Sequence, residues 1–279
     1  MSYPTPPSRR LHDLGVSTIV DPTVVGLGRY VPRIERVAAH TKINIVAATG
    51  LYTYNDIPHR FHYHGAGAPA GDKDPLPEYF VRDITEGIAG TKVKAAFLKC
   101  AIDEPGLTPG VERTMRSVAR AHRRTGAPIT VHTNVHNRSG LIAQEVLKSE
   151  GVDMSRVVIG HSGDSTEYDY LKKLADAGSL LGMDRFGIDV LLPTDKRIEV
   201  VARMCEMGYA DSMVLSHDAS CYIDWFPNGE VPLFAPNWHY EHIHTDVLPA
   251  LRKKGVTDKQ IETMLVDNPR RYFENVSAY

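Results

Sequence analysis

Five residues able to do acid–base or metal chemistry recur at matching places along this 279-residue chain: Lys99 in "AAFLKCAI", His132 in "ITVHTN", His161 in "VIGHSG", Arg185 in "GMDRFG" and Asp218 in "LSHDAS". Each lies at or just past the C-terminal end of a short apolar run. A single histidine in such a place is usually a satisfied hydrogen-bonder, so the set carries the signal rather than any member. Two imidazoles with a carboxylate make an open catalytic site for zinc, iron, manganese or cobalt. Lys99 is the odd member, a cation among Ala, Phe, Leu, Cys and Ile. A buried lysine must lose its proton, find an anion or become chemically something else. A neutral amine can add carbon dioxide to give a carbamate, an anion whose two oxygens can bridge two metal ions. An ion pair with an acid and a Schiff base are the alternatives for the same residue.

The elements that would position these groups alternate regularly. Strand patterns occupy residues 16–23, 43–52, 95–102, 127–134, 156–163, 179–187 and 212–220, short apolar runs of the kind buried in parallel sheets. Helix patterns fill 110–126, 139–151, 166–178 and 195–208; in the first, Val111, Met115, Val118 and Ala119 recur at helical spacing and Gly126 follows the end. This order predicts an α/β fold with a parallel sheet and right-handed crossovers. Because the five polar residues stand at ends of successive strands, a closed (β/α)8 TIM-type barrel, which gathers those ends on one face, is favoured over an open sheet. Seven strands are identifiable and the barrel has eight, so the first strand is expected to be missing. Residues 1–279 are read as a single barrel domain, with 1–15 a short N-terminal arm.

Bulk properties narrow the partners. A formal net charge of −2 and a pI near 6.7 speak against nucleic acid or an anionic membrane. With no spanning-length apolar window, no apolar leader and three cysteines without C-x-x-C spacing, a cytoplasmic protein lacking disulfides is expected.

The ordered segments "GLYTY", "FLKCAIDEPGLT", "VHTNVHN", "VIGHSGD", "GMDRFG" and "LSHDASCYIDW" closely resemble the phosphotriesterase family of the amidohydrolase superfamily, most of all its phosphotriesterase-like lactonases, from about residue 11 to about residue 275. The resemblance implies that Lys99 is the carboxylated lysine bridging two metals, and that His132 and His161 bind the more exposed ion. Asp218 would bind the more buried ion and accept a proton. Tyr52 and Arg185 would line the lactone subsite, with Tyr54 and Trp225 as further substrate-binding positions. The family's opening strand, which ends in a His-x-His pair, has no counterpart here, which leaves the buried metal only Asp218 and a share of Lys99. Substitutes could come from "HRFHYHG" (His59, His62, His64) or "NWHYEHIH" (His239, His242, His244), both expected in loops and more simply read as packing histidines. "VVGLGRY" lacks the glycine fingerprint of a phosphate loop.

The expected function is a divalent-metal hydrolase that opens N-acyl-homoserine or related lactones through a metal-bridging hydroxide, with promiscuous phosphotriesterase activity. Zinc is the first choice of metal, with iron, cobalt and manganese as alternatives, and one or two ions per chain. The family resemblance implies a homodimer. Two other readings compete: an N-terminally truncated, impaired homologue with an incomplete metal site, and a Schiff-base lysine enzyme active without metal.

Overall fold

The computed structural model describes residues 8–65, 68–223, 226, 230–274 and 277–279. In chain order its first elements are α1 (Ser8–Asp13), β1 (Thr18–Asp21), α2 (Val31–Ala38), β2 (Asn44–Gly50), α3 (Leu76–Thr85), β3 (Phe97–Ile102) and α4 (Pro109–Thr125). They are followed by β4 (Ile129–Thr133), α5 (Ser139–Ser149), β5 (Val157–Gly160), α6 (Tyr168–Asp176), β6 (Leu180–Met183), α7 (Thr194–Glu206) and β7 (Met213–Leu215). The strands fall where the apolar runs predict them, but each is shorter than its run. The run at 212–220 shows why: only Met213–Leu215 is strand, and the backbone turns left-handed at Asp218, with φ 56°. The expected N-terminal arm contains a helical turn, α1.

The described chain packs as two compact units, one formed by Thr18–Ile159 with the described residues of Arg271–Tyr279, the other by Gly160–Arg270 with the described residues up to Ser17. In the first unit β1, β2, β3 and β4 pair in parallel, neighbour to neighbour. In the second, β6 and β7 pair in parallel.

Helix α4 illustrates how local sequence and packing agree. The Thr108 side chain accepts from the Val111 N–H, Pro109 opens the helix, and Gly126 closes it in the left-handed region at φ 74°. Val111, Met115, Val118 and Ala119 are buried, as their spacing predicts, and so is His122. Burial of the larger apolar side chains stabilises by about 1.5–3 kcal/mol each. His122 Nδ1–H donates to the Ala127 carbonyl at 2.7 Å, so Nε2 accepts from the Tyr279 hydroxyl, also at 2.7 Å. Burial pushes the His122 pKa down.

Two features fix β2 against β3. Gly50 pairs with Lys99 at φ 137°, and a Cβ there would stand 1.9 Å from the Lys99 carbonyl oxygen. On the other flank, Arg29 from "VVGLGRY" donates to the Ala48 carbonyl at 2.8 Å and to Asp83 at 2.8 Å, while Thr49 donates to the same Asp83 oxygen at 2.7 Å. Both charged side chains are almost fully buried. The glycine-containing loop thus serves as a structural clamp.

Two stability outcomes are expected. Gly50→Ala costs about 1–3 kcal/mol of backbone strain, on top of displacing the strand that carries Lys99, and urea unfolding measures it. His122 is neutral in the fold and its folded pKa is depressed. Its contribution is therefore complete above the unfolded value of about 6.5 and is lost as pH falls below it. Between pH 7.5 and 5, unfolding free energy should fall less steeply in His122→Gln than in the native chain.

Candidate active site

In the first unit the site grows from one face of the β2–β4 sheet. Register and strand alternation put Ala48 and Gly50 of β2, Phe97, Lys99 and Ala101 of β3, and Thr130 and His132 of β4 on the same side. The C-terminal helix Asn268–Glu274 closes the base of this face: Phe273 meets Phe97 edge-on at 6.0 Å, and the Tyr272 hydroxyl lies 2.9 Å from Thr130 Oγ1. Lys99 is consequently only 5% exposed. Its neighbour Cys100 points the other way and its thiol is pushed up to about 12 by burial, which makes it inert.

His132, two residues beyond Thr130, reaches the end of the strand. Its Nε2–H donates to Asp103 Oδ2 at 2.8 Å, and Asn134 Nδ2 donates to the other oxygen at 3.0 Å. The His132 hydrogen bond, above all, outweighs burial and holds the Asp103 carboxyl well below the usual range. With Nε2 committed as donor, Nδ1 carries the lone pair. The Tyr52 hydroxyl stands 3.3 Å from Nε2, its ring edge-on to the imidazole at 5.0 Å. Tyr54, further out and exposed, donates to Glu104 at 2.6 Å, and that bond raises the phenol pKa.

In the second unit, further polar residues follow the end of β5 and the ends of β6 and β7. His161 has φ 64°, a left-handed conformation that costs a non-glycine residue and is commonest at functional sites. Asp184 Oδ1 accepts from the His161 backbone N–H at 2.8 Å and from its Nδ1–H at 2.9 Å, leaving Nε2 with the lone pair. Gly182 makes room for this: a Cβ there would come 2.4 Å from Asp184 Oδ2. Arg185 donates to Asp164 at 2.9 Å and to Asp218 at 3.4 Å. Although burial opposes its charge, Asp164 and Asp218 raise its pKa. Asp164 is itself anchored by Arg197, which is 1% exposed and also donates to the Gly163 and Leu192 carbonyls. His217, next to Asp218, accepts from the Ala219 N–H at 2.9 Å; burial, with help from His239, His244 and His242, lowers its pKa to about 4.

Of the residues singled out by sequence, Tyr52 contacts His132 and Arg185 contacts Asp218; Lys99 shares the face of His132, and His161 is placed by Asp184. Trp225 lies outside the described residues. The carboxylates Asp103, Asp184 and Asp164 and the buried Arg197 did not stand out in the sequence. Asp103 and Asp184 were inside recognised motifs, each one residue past a strand, and an acid there beside a strand-end histidine is the signal that could have found them. The "HRFHYHG" histidines are exposed: His59 and His62 sit in a short 3-10 helix, and His62 Nε2 lies 3.2 Å from the Ile57 carbonyl and 3.3 Å from Asp56.

Each of the two histidines has one ring nitrogen tied to a carboxylate, the arrangement that orients imidazoles in metal sites. Imidazoles held in this way suit a divalent ion of the zinc, iron, cobalt or manganese kind.

Comparison with known proteins agrees with this class of site. Residues 8–273 match the profile of the Phosphotriesterase family, and the chain belongs to that family. It is 62% identical to a phosphotriesterase from Mycobacterium tuberculosis of known structure, covering 97% of this chain and 83% of that one with a TM-score of 0.95. An aryldialkylphosphatase from Saccharolobus solfataricus is 44% identical over 95% of this chain and 83% of its own length. A third relative, engineered for organophosphate hydrolysis from a weak promiscuous lactonase template, is 32% identical, with a TM-score of 0.85 over 95% of this chain and 84% of that one. The fold class is accordingly the α/β one of the TIM-type barrel hydrolases, a family that generally depends on divalent metals and acts on small molecules. Among the described residues no helix is long and apolar enough to cross a membrane.

One outcome tests the carboxylate–histidine pairs directly. Asp184→Ala should weaken divalent-metal binding about 10–100-fold by freeing the His161 ring, as read by competition with a chromogenic chelator. An unchanged affinity would mean that Asp184 serves only the local fold.

Proposed function

We propose that this protein is a metal-dependent lactonase, opening N-acyl-homoserine or related lactones, with slow hydrolysis of phosphotriesters as a side activity. The observation that carries the reading is the pair of carboxylate-held histidines, His132 with Asp103 and His161 with Asp184, accompanied by buried Lys99. The relatives support the substrate class: one is an aryldialkylphosphatase and another derives from a lactonase template.

His132, through Nδ1, His161, through Nε2, and Lys99 as its carbamate would hold one ion, and Asp218 with the same carbamate would contribute to a second. Zinc suits these donors, as do iron, cobalt and manganese. When bound, the metal supplies an acidified water and Lewis acidity toward the substrate oxygen. Lys99, 5% exposed, is the amine that would add carbon dioxide to give this carbamate. Asp218 accepts the proton of the attacking water and returns it to the leaving alkoxide. Arg185, tied back by Asp164, orients the Asp218 carboxylate. The Tyr52 hydroxyl, beside the His132 ring, donates to the carbonyl oxygen as negative charge develops on it. Tyr54, exposed beside Glu104, lines the approach of the acyl portion. A phosphotriester presents a tetrahedral centre comparable to the intermediate of lactone opening, which accounts for the side activity.

Lys99→Ala should abolish lactone hydrolysis, and a short-chain carboxylate in the buffer should restore part of it by standing in for the carbamate. Full activity in the Lys99→Ala protein would remove the lysine from the mechanism. A Schiff-base enzyme would instead keep its activity after chelation and trap substrate on Lys99 under borohydride.

A further inference from the structure

The "NWHYEHIH" segment does more than pack. His239, His242 and Asp246 each bring one possible ligand atom to a common point, all within 4.8 Å of one another. They are spaced three and four residues apart: His239 sits in a bend, His242 opens a helical stretch, and Asp246 lies within its wide turn Ile243–Val247. Such widened turns recur at functional sites. His242 is 3% exposed, whereas His239 and Asp246 face solvent.

Hydrogen accounting around His242 shows what the cluster lacks. Asp189 accepts from the Thr194 hydroxyl at 2.6 Å and the Thr194 N–H at 2.8 Å on one oxygen, and from Asn237 Nδ2 at 3.0 Å on the other. The Thr194 hydrogen is thereby committed, and its oxygen can only accept from His242 Nε2–H, over a long 3.4 Å. Neutral His242 then has its lone pair on Nδ1, which stands 3.2 Å from Asp246 Oδ2. A lone pair and a carboxylate oxygen at this distance are two donors that one cation can bridge, and Asp246 Oδ2 also accepts from the Thr245 hydroxyl. Two donors each about 2.1 Å from one metal ion lie about 3.0–3.4 Å apart, which is the separation found here.

We propose that His239 and Asp246, together with Nδ1 of His242, form a second metal site, for a divalent transition ion of the zinc kind, using residues that take no part in lactone hydrolysis. Asp189 and Thr194 orient the buried ligand, in the way outer carboxylates orient metal-binding imidazoles. Exposed His239 completes the set by a side-chain rotation, and the remaining positions go to water. Since Thr194 is the first residue of α7, the ion clips the 239–246 segment to the start of that helix.

The test is zinc titration by calorimetry, with metal content per chain, on the whole protein. In a Lys99→Ala, His161→Ala background about one zinc should still bind. Adding His239→Ala or Asp246→Asn should weaken that binding at least 10-fold, and Thr194→Val by about 10–100-fold. Zinc should raise the Tm of the background protein and lose that effect in the His239→Ala variant. If the background protein does not fold, His239→Ala in the otherwise native chain should lower bound zinc by one equivalent. Zinc affinity and stoichiometry unaltered by both His239→Ala and Asp246→Asn would overturn the site. Failure of the lactonase reading would leave this result untouched, because neither readout is hydrolysis.

Discussion

The structure turns on bringing a lysine amine into the sheet without an apolar strand rejecting it. β3 is buried along its whole length, and Lys99 stands at its midpoint. That arrangement needs β2 at close range, which Gly50 alone permits, since any side chain there would strike the Lys99 carbonyl. It also needs β2 held rigidly, which the buried Arg29–Asp83–Thr49 network does from behind. A buried ion pair of this kind is a weak source of net stability, yet losing one partner strands the other charge. Its value lies in fixing where β2 runs.

From that anchor the chemistry is set out by repetition of one device. A strand ends, a histidine follows, and a carboxylate from a nearby chain end captures one of its nitrogens. His132 and His161 use it with opposite nitrogens, Nε2 to Asp103 and Nδ1 to Asp184. The Asp164–Arg185–Asp218 chain, with Arg197 behind it, does for the carboxylate what the aspartates do for the imidazoles. The His242 cluster applies a related arrangement, with a threonine between acid and ring.

Much of this was legible in the sequence, for physical reasons. Parallel strands are buried on both faces, so they read as unbroken apolar runs, and all seven strands, and α4 with its closing Gly126, follow from pattern alone. The metal-site candidates were visible because a polar residue ending such a run has few structural excuses. What hid were the supporting groups. Asp103 and Asp184 look like ordinary loop acids until the partner ring is in place, and Arg197, on a helix, gives no hint that it will be buried. Strand ends were also misplaced, because the runs at 179–187 and 212–220 continue past the last ladder residue into backbone that holds the site. The histidines of "NWHYEHIH" were expected in a loop, whereas His242 and His244 lie on a helical stretch, a distinction that periodicity over so few residues does not reveal.

The most direct test of the account is whether Lys99 carries carbon dioxide. The protein would be loaded with zinc and equilibrated with ¹³C-bicarbonate, and its carbon NMR spectrum compared with that of the Lys99→Ala variant treated in the same way. The account predicts a carbamate resonance in the native protein that is absent from the variant and fades when the metal is chelated. An active, zinc-loaded native protein without that resonance would contradict it.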